Sequence, residues 1–261
     1  MAEAPGEGRL QEELKSYYGP LLPHWDRSLA GRGDLAFWRS VARRRPRRSA
    51  LELGAGSGRV TEVLADAGRP VVGLDLNPEA VRRAGRRLAG RQAVHLLVAD
   101  MRTFRLDRRF GLVVAANDPF SHLRTDGGRD RALDRVAGHL AADGRFLLDA
   151  LWFPESWVEE AAGPGGKEIR REAGGGGDAP PLEIHQRWRC DPTRRICTAE
   201  FRVEGGPEPV TSTFRGRWWS TRELDERLAR VGLEVRRRWG DFDASDWSPD
   251  AAHLIVEAVR R

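Results

Sequence analysis

The stretch Glu52-Leu53-Gly54-Ala55-Gly56-Ser57-Gly58 constrains this chain more than any other, because it joins a short apolar run at 49–53 to a helix-type stretch at 59–67. Glycines at a strand-to-helix junction let the backbone turn sharply and let a ligand approach without meeting a Cβ. A glycine turn alone does not separate one nucleotide-type ligand from another. Two acids narrow the choice. Asp75 ends the apolar run at 70–75, and Asp100 follows the run at 93–98. In a doubly wound sheet the carboxyl ends of the strands form the ligand crevice. A carboxylate at the first position can accept both hydroxyls of a ribose, and one at the second can accept the amino group of an adenine. The G-x-G-x-G spacing is one residue tighter than the dinucleotide G-x-G-x-x-G, which opposes an NAD-dependent oxidoreductase.

The remaining pattern agrees with an α/β fold. Strand-type runs at 49–53, 70–75, 93–98, 110–116 and 145–150 alternate with helix-type stretches, the signature of βαβ units and a parallel sheet. Asn77-Pro78-Glu79 starts a helix with proline at the first helical position, and another helix is expected around 130–141. Residues 151–181 read as irregular, with a glycine-rich, hinge-like stretch at 163–177. Three strand-type segments follow at 182–190, 196–204 and 210–218, the first two joined by a tight turn at 191–194. Ser220-Thr221-Arg222-Glu223 is a capping box for a helix to about 231. Runs at 233–239 and 253–259 close the chain. The expected fold class is a doubly wound, mostly parallel seven-stranded α/β sheet with a small antiparallel β insertion after strand five. Its segments are a helical N-terminal cap (1–45), a ligand-binding core (46–153), the insertion (154–217) and a C-terminal helix with the last two core strands (218–261).

Composition excludes several classes. No run reaches the eighteen or so apolar residues that span a bilayer, and the N-terminus has no apolar signal-type segment; a cytoplasmic protein without membrane attachment is expected. Of the 44 basic side chains all but Lys15 and Lys167 are arginine, and 39 acidic residues are interspersed with them. The basic clusters are short, Arg43 to Arg45 with Arg47 and Arg48, then Arg236 to Arg238. A nucleic-acid enzyme usually concentrates its charge, so no nucleic-acid partner is expected. Cys190 and Cys197 cannot by themselves build a disulfide framework or a structural zinc site. They read as two half-buried thiols, and no metal site is expected.

Asp34-Leu-Ala-Phe-Trp, Leu51 through Arg59, Val72-Gly-Leu-Asp-Leu-Asn-Pro, Ala99-Asp-Met-Arg and Asp118-Pro-Phe-Ser-His-Leu together resemble the class I S-adenosylmethionine-dependent methyltransferases. The likeness is greatest to the small-molecule branch that holds glycine N-methyltransferase-like and amino-sugar N-methyltransferase-like enzymes. It covers about 15–153; Trp218-Trp-Ser-Thr-Arg-Glu-Leu and Gly240-Asp-Phe-Asp-Ala-Ser add less specific support.

The resemblance implies S-adenosylmethionine as cofactor and S-adenosylhomocysteine as product. Glu52, Gly54, Ala55 and Gly56 would line the methionyl side, Asp75 would bind the ribose and Leu76 would pack on the adenine. Asp100 with Met101 would hold the adenine edge, and Asn117 would face the amino-acid moiety through its backbone. Tyr18 (or Tyr17) would lie over the sulfonium and Arg32 would pair with the cofactor carboxylate. His122, with Ser121, stands after strand four where donor methyl and acceptor meet, and is the candidate catalytic base. Aromatics Trp152, Phe153, Trp157, Trp188, Trp218 and Trp219 cluster around the insertion; by its position after strand five the insertion reads either as an acceptor-choosing lid or as a structural extension or dimer contact. The expected activity is methyl transfer to N or O of a small-molecule acceptor. The alternatives are an RNA or protein methyltransferase and a non-catalytic S-adenosylmethionine-binding protein, and homodimer formation is left open.

Overall fold

The computed structural model describes residues 7–29, 32–44, 48–174 and 180–261. Arg45 and Arg47 of the first basic cluster, and residues 175–177 of the glycine-rich stretch, lie outside them. The elements in order are α1 (Glu7–Leu21), α2 (Trp25–Ser28), α3 (Asp34–Arg43), β1 (Ala50–Leu53), α4 (Arg59–Asp66), β2 (Val71–Asp75), α5 (Pro78–Arg87), β3 (Val94–Val98), β4 (Phe110–Ala115), a 3-10 turn (Pro119–His122), α6 (Asp126–His139) and β5 (Leu140–Ala150). After them come α7 (Glu155–Ala162), β6 (Lys167–Ala173), β7 (Leu182–Asp191), β8 (Ile196–Glu204), β9 (Val210–Arg217), α8 (Thr221–Arg230), β10 (Leu233–Trp239) and β11 (Leu254–Arg260). They fall into two compact units, one of Gly33–Pro154 with Trp218–Arg261, the other of Met1–Arg32 with Glu155–Arg217.

The larger unit is a seven-stranded sheet in the order β10-β11-β5-β4-β1-β2-β3. β1, β2, β3, β4 and β5 pair in parallel, while β11 runs antiparallel to both β5 and β10. The expected sheet is therefore present. Strand β1 is buried along its whole length, as a central parallel strand covered on both faces must be. Phe37, Trp38 and Val41 of α3 pack with Val60 and Leu64 of α4 and with Val71, Leu112, Trp239 and Ile255 of the sheet. Thus α3 groups with the sheet, whereas α1 and α2 group with the insertion.

The helix starts follow from their caps. Asn77 accepts from Glu79 N at the start of α5, and Ser220 accepts from Glu223 N at the start of α8. Helix α6 begins four residues earlier than the sequence pattern suggests, where Thr125 accepts from Gly128 N; Gly127 and Gly128 mask that first turn in the sequence. Strand β5 begins at Leu140 and takes in Asp143-Gly144, since the β4–β5 register slips between Phe110 and Leu112.

The smaller unit holds an antiparallel sheet in the order β6-β7-β8-β9. It has four strands and not three: the segment read as irregular contains α7 and β6, and within the expected hinge at 163–177 residues Lys167–Ala173 form strand β6. Tyr17 of α1 packs on Phe201 and Phe214, ring centroids 5.8 and 5.4 Å away, and Ser212 Oγ donates to Tyr17 O at 2.6 Å. Cys190 and Cys197 are bonded as a disulfide and are not free thiols. The hairpin makes them direct cross-strand partners, with Cα atoms 4.2 Å apart, as in the close, non-hydrogen-bonded pairs of an antiparallel ladder.

Candidate active site at the glycine turn

The turn after β1 is built by backbone geometry. Gly54, Gly56 and Gly58 have φ of +71°, +55° and +81°, values that side chains with a Cβ adopt at a cost. The N–H groups of Gly54 and Ala55 both donate to Leu74 O, at 2.8 and 2.9 Å, which ties the turn to β2. A Cβ on Gly54 would stand 2.6 Å from Pro119 Cβ, so the loop after β4 closes directly over the turn. A Cβ on Gly56 would meet nothing within 4 Å. The backbone at Gly56 thus faces open space, as a site for a closely approaching ligand requires.

Two carboxyl groups, those of Asp75 and Glu52, flank this turn. Asp75 Oδ2 accepts from Gly56 N at 2.9 Å and Oδ1 accepts from Asn77 N at 2.8 Å. Asp75 therefore shapes the turn, with a further backbone bond from Leu76, and its carboxyl keeps acceptor capacity for a hydroxyl donor. Burial raises its pKa from the ordinary carboxylate value. Glu52 is 2% exposed and accepts from Thr61 Oγ1. Burial first, with Asp75 nearby, pushes its carboxyl up to about 8 against the lowering effects of Thr61 and Arg59. Arg59 also forms a bidentate pair with buried Asp34 of α3. Neither Thr61 nor this Asp34–Arg59 pair was singled out from the sequence, although both are polar residues at positions that otherwise read as apolar helix faces.

Asp100, at the end of β3, is engaged by Arg102: its Oδ1 accepts from Arg102 N at 2.7 Å, and the guanidinium reaches both oxygens at 2.5 to 3.0 Å. Leu76 and Met101 are half-buried beside the two strand-end acids. After β4, Asn117 and Asp118 both lie in the left-handed region, with φ of +56° and +59°. Consecutive non-glycine residues there are costly and mark functional turns. Asn117 N donates to Asp149 Oδ2 at 3.0 Å, and Asp118 Oδ1 accepts from Leu151 N at 2.8 Å. The Asn117 N–H is thereby committed to Asp149. Burial and the proximity of Asp149 hold the Asp118 pKa well above the usual range. Ser121 is buried and donates to Asp118 O. His122 is half-buried, and burial followed by Arg124 lowers its pKa to about 4. Its imidazole is therefore neutral at pH 7.

The structure brings Glu52, Gly54, Ala55, Gly56 and Asp75 together around one turn, with the loop carrying Asn117 beside it. Tyr18 and Arg32 belong to the smaller unit. There the Tyr18 ring lies 4.5 Å from that of Tyr17 and 5.0 Å from that of Trp25, and Arg32 acts on Arg171, lowering its pKa after burial. Among the six aromatics that cluster around the insertion in the sequence, Trp219 is fully buried in the larger unit beneath Arg129, while Trp157 and Trp188 pack on each other, centroids 5.5 Å apart.

Comparison with known proteins agrees with this geometry. Residues 50–144 match the model of a methyltransferase domain. YqeM of Bacillus subtilis, a protein classed with the methyltransferases, is 30% identical over 224 residues, covering 80% of this chain and 83% of that one. The chain belongs to the class I methyltransferases. A dTDP-3-amino-3,6-dideoxy-alpha-D-glucopyranose N,N-dimethyltransferase of Streptomyces fradiae is 33% identical over 144 residues, 52% of this methyltransferase. That match spans about half, 55%, of the sugar enzyme's length. The CcbJ methyltransferase of Streptomyces caelestis shares the fold, with a TM-score of 0.77 and 19% identity over 95% of this chain and 98% of that one. Among the described residues, no helix of this methyltransferase is long and apolar enough to cross a membrane.

Proposed function

We propose that this methyltransferase carries the methyl group of S-adenosylmethionine to the amino nitrogen of a small molecule, with amino sugars the acceptor class. The observation that carries the reading is the glycine turn open at Gly56 and closed by Asp75 at the carboxyl ends of β1 and β2. The half-length likeness to an amino-sugar N,N-dimethyltransferase supports the acceptor class.

The residues present fit the cofactor. Open backbone at Gly56 gives it a place to approach, buried Glu52 lies at the start of the turn, and Asp75 keeps acceptor capacity for a ribose hydroxyl. When bound, S-adenosylmethionine supplies an electrophilic methyl group on a sulfonium. Glu52, Gly54, Ala55 and Gly56 would then hold its methionyl side, Asp75 its ribose, and Asp100, Leu76 and Met101 its adenine. Methyl transfer is an in-line displacement, so the chain mainly aligns the acceptor and excludes water. An amine attacks with its own lone pair. His122 is neutral at pH 7 but a weak base, since its pKa of about 4 is far below the operating range that favours general-base catalysis. Its role on this reading is to accept a hydrogen bond from the amine and orient it. Nitrogen, and not oxygen, is the acceptor atom that such a weak base suits.

The insertion is proposed to choose the acceptor. It leaves the chain after β5, at the carboxyl end where ligands bind in sheets of this type. Its unit also contains an open groove of about 870 Å³, lined by Ser16, Gln186, Phe201 and Ser212 together with charged Glu168, Arg187 and Arg202.

Incubating the protein with methyl-labelled S-adenosylmethionine and a panel of amino sugars, simple amines and phenols tests the reading. Label in an amino sugar supports it. Label only in phenols moves the activity to oxygen, and label only in RNA or protein overturns the small-molecule assignment.

A further inference from the structure

The interior of the larger unit contains a cation that the chemistry above does not use. Arg129 of α6 is 0% exposed. Its Nε donates to Leu123 O at 3.0 Å, and its Nη1 points to Trp218 O at 3.5 Å and to both oxygens of Glu223 at 3.4 and 3.5 Å. Its guanidinium carbon lies 3.7 Å from the centroid of the Trp219 ring, close enough for a strong cation–π contact when desolvated.

A buried cation is costly unless fully engaged, and a methionine or leucine would fill the same space at less cost. What an apolar side chain cannot do is bond several separate segments at once. The planar fork of Arg129 does so. It holds the end of the loop after β4 at Leu123, the chain's return after the insertion at Trp218 and Trp219, and helix α8 at Glu223. Glu223 is itself shared with Arg227, which pairs with Asp126 and Asp130 of α6, so the far side of the network is already tied without the loop contact.

The near side holds the loop that carries His122. The loop begins at Asn117 and Asp118, both in the left-handed region, held to Asp149 and Leu151 N. It ends at Leu123, held by Arg129. His122 lies between these two anchors. Arg129 also acts electrostatically on Asp118, so both ends of the loop feel the same buried cation.

We propose that Arg129 is a positioning residue that fixes the loop 117–123, and with it His122, in the shape the acceptor amine meets. This rests on the assignment of that loop to the acceptor under the proposed function. A purely structural role would be confined to stapling α6 to α8.

The test is an NMR titration of His122 in the full-length protein, with donor affinity by calorimetry and kcat measured on whichever amine the wild type methylates. In Arg129→Lys the charge stays, while the flat stack and the Nε bond to Leu123 are lost. The expected result is a His122 titration moved up by more than one pH unit, toward that of an exposed histidine. Affinity for S-adenosylmethionine should stay within about threefold, and kcat should fall at least tenfold with KM changed less. Arg129→Met should give the same pattern. A folded Arg129→Lys with the wild-type His122 titration overturns the proposal, as does an equal loss of donor affinity and turnover. If Arg129→Met does not fold, the lysine variant decides. The His122 titration needs no acceptor, so it reads the positioning role even if no amine in the panel is methylated.

Discussion

The backbone N–H of Gly56 donates to Asp75 Oδ2 at 2.9 Å, and this bond joins the glycine turn after β1 to the end of β2. Asp75 is thus both part of the turn and the proposed ribose acceptor. Charge-assisted hydrogen bonds are worth about 1.5–3 kcal/mol each, so Asp75→Ala should cost about 2–4 kcal/mol of donor affinity. That loss corresponds to a dissociation constant raised by roughly 30-fold or more. Calorimetry showing an affinity within twofold of wild type would confine Asp75 to capping the turn.

Gly54 and Gly56 should respond differently to alanine. At Gly54 the new Cβ would stand 2.6 Å from Pro119 with φ at +71°, so strain of about 1–3 kcal/mol is expected. The melting temperature should drop by roughly 3–10 °C. At Gly56 the Cβ meets no neighbour; there the backbone cost is smaller and the main loss should be in donor affinity. Thermal melts and calorimetry on the two variants check this, and a Gly54→Ala protein that melts like wild type contradicts it.

Glu52 makes stability depend on pH. Its pKa rises from 4.5 in the unfolded chain to about 8 in the folded protein, so its protonated form is the one the fold favours. The stability it contributes is fully present below about pH 4.5 and is lost as pH rises through about 8. Melting temperatures of wild type minus those of Glu52→Gln should therefore decline between pH 5 and pH 8. A flat difference across that window would show that Glu52 is not protonated in the folded state.

Ionic strength should barely change turnover. A small acceptor makes few phosphate contacts, whereas an RNA held by six or so loses orders of magnitude in affinity over a fourfold rise in salt. A steep logarithmic slope of kcat/KM against salt would favour an RNA acceptor.

Much of this was legible in the sequence because the core strands carry continuous apolar runs. β1, β2, β3 and β4 fall within a residue of the runs that mark them. Strand β6 was not legible, since Lys167-Glu-Ile-Arg-Arg-Glu-Ala is mostly charged and its strand is half exposed at a sheet edge. Helix α7 is a short piece beside a glycine-rich stretch, with no cap residue to announce it. The disulfide depended on register: spacing alone does not show that Cys190 and Cys197 face each other across a hairpin. At the site, Glu52, the glycines, Asp75 and Asp100 were visible as a motif, because each is fixed by local strand-end position. Arg129 was not, since its partners Leu123, Trp218 and Glu223 are distant in sequence and arginine is abundant throughout the chain.

The central claim is that the turn from Glu52 to Gly58, closed by Asp75, holds S-adenosylmethionine. Calorimetric titration of the full-length protein with S-adenosylmethionine, S-adenosylhomocysteine and NAD in parallel tests it most directly. The account predicts saturable binding of the first two at a single site, weakened in Asp75→Ala, and no heat with NAD. Clear binding of NAD with no heat from either S-adenosyl compound would contradict it.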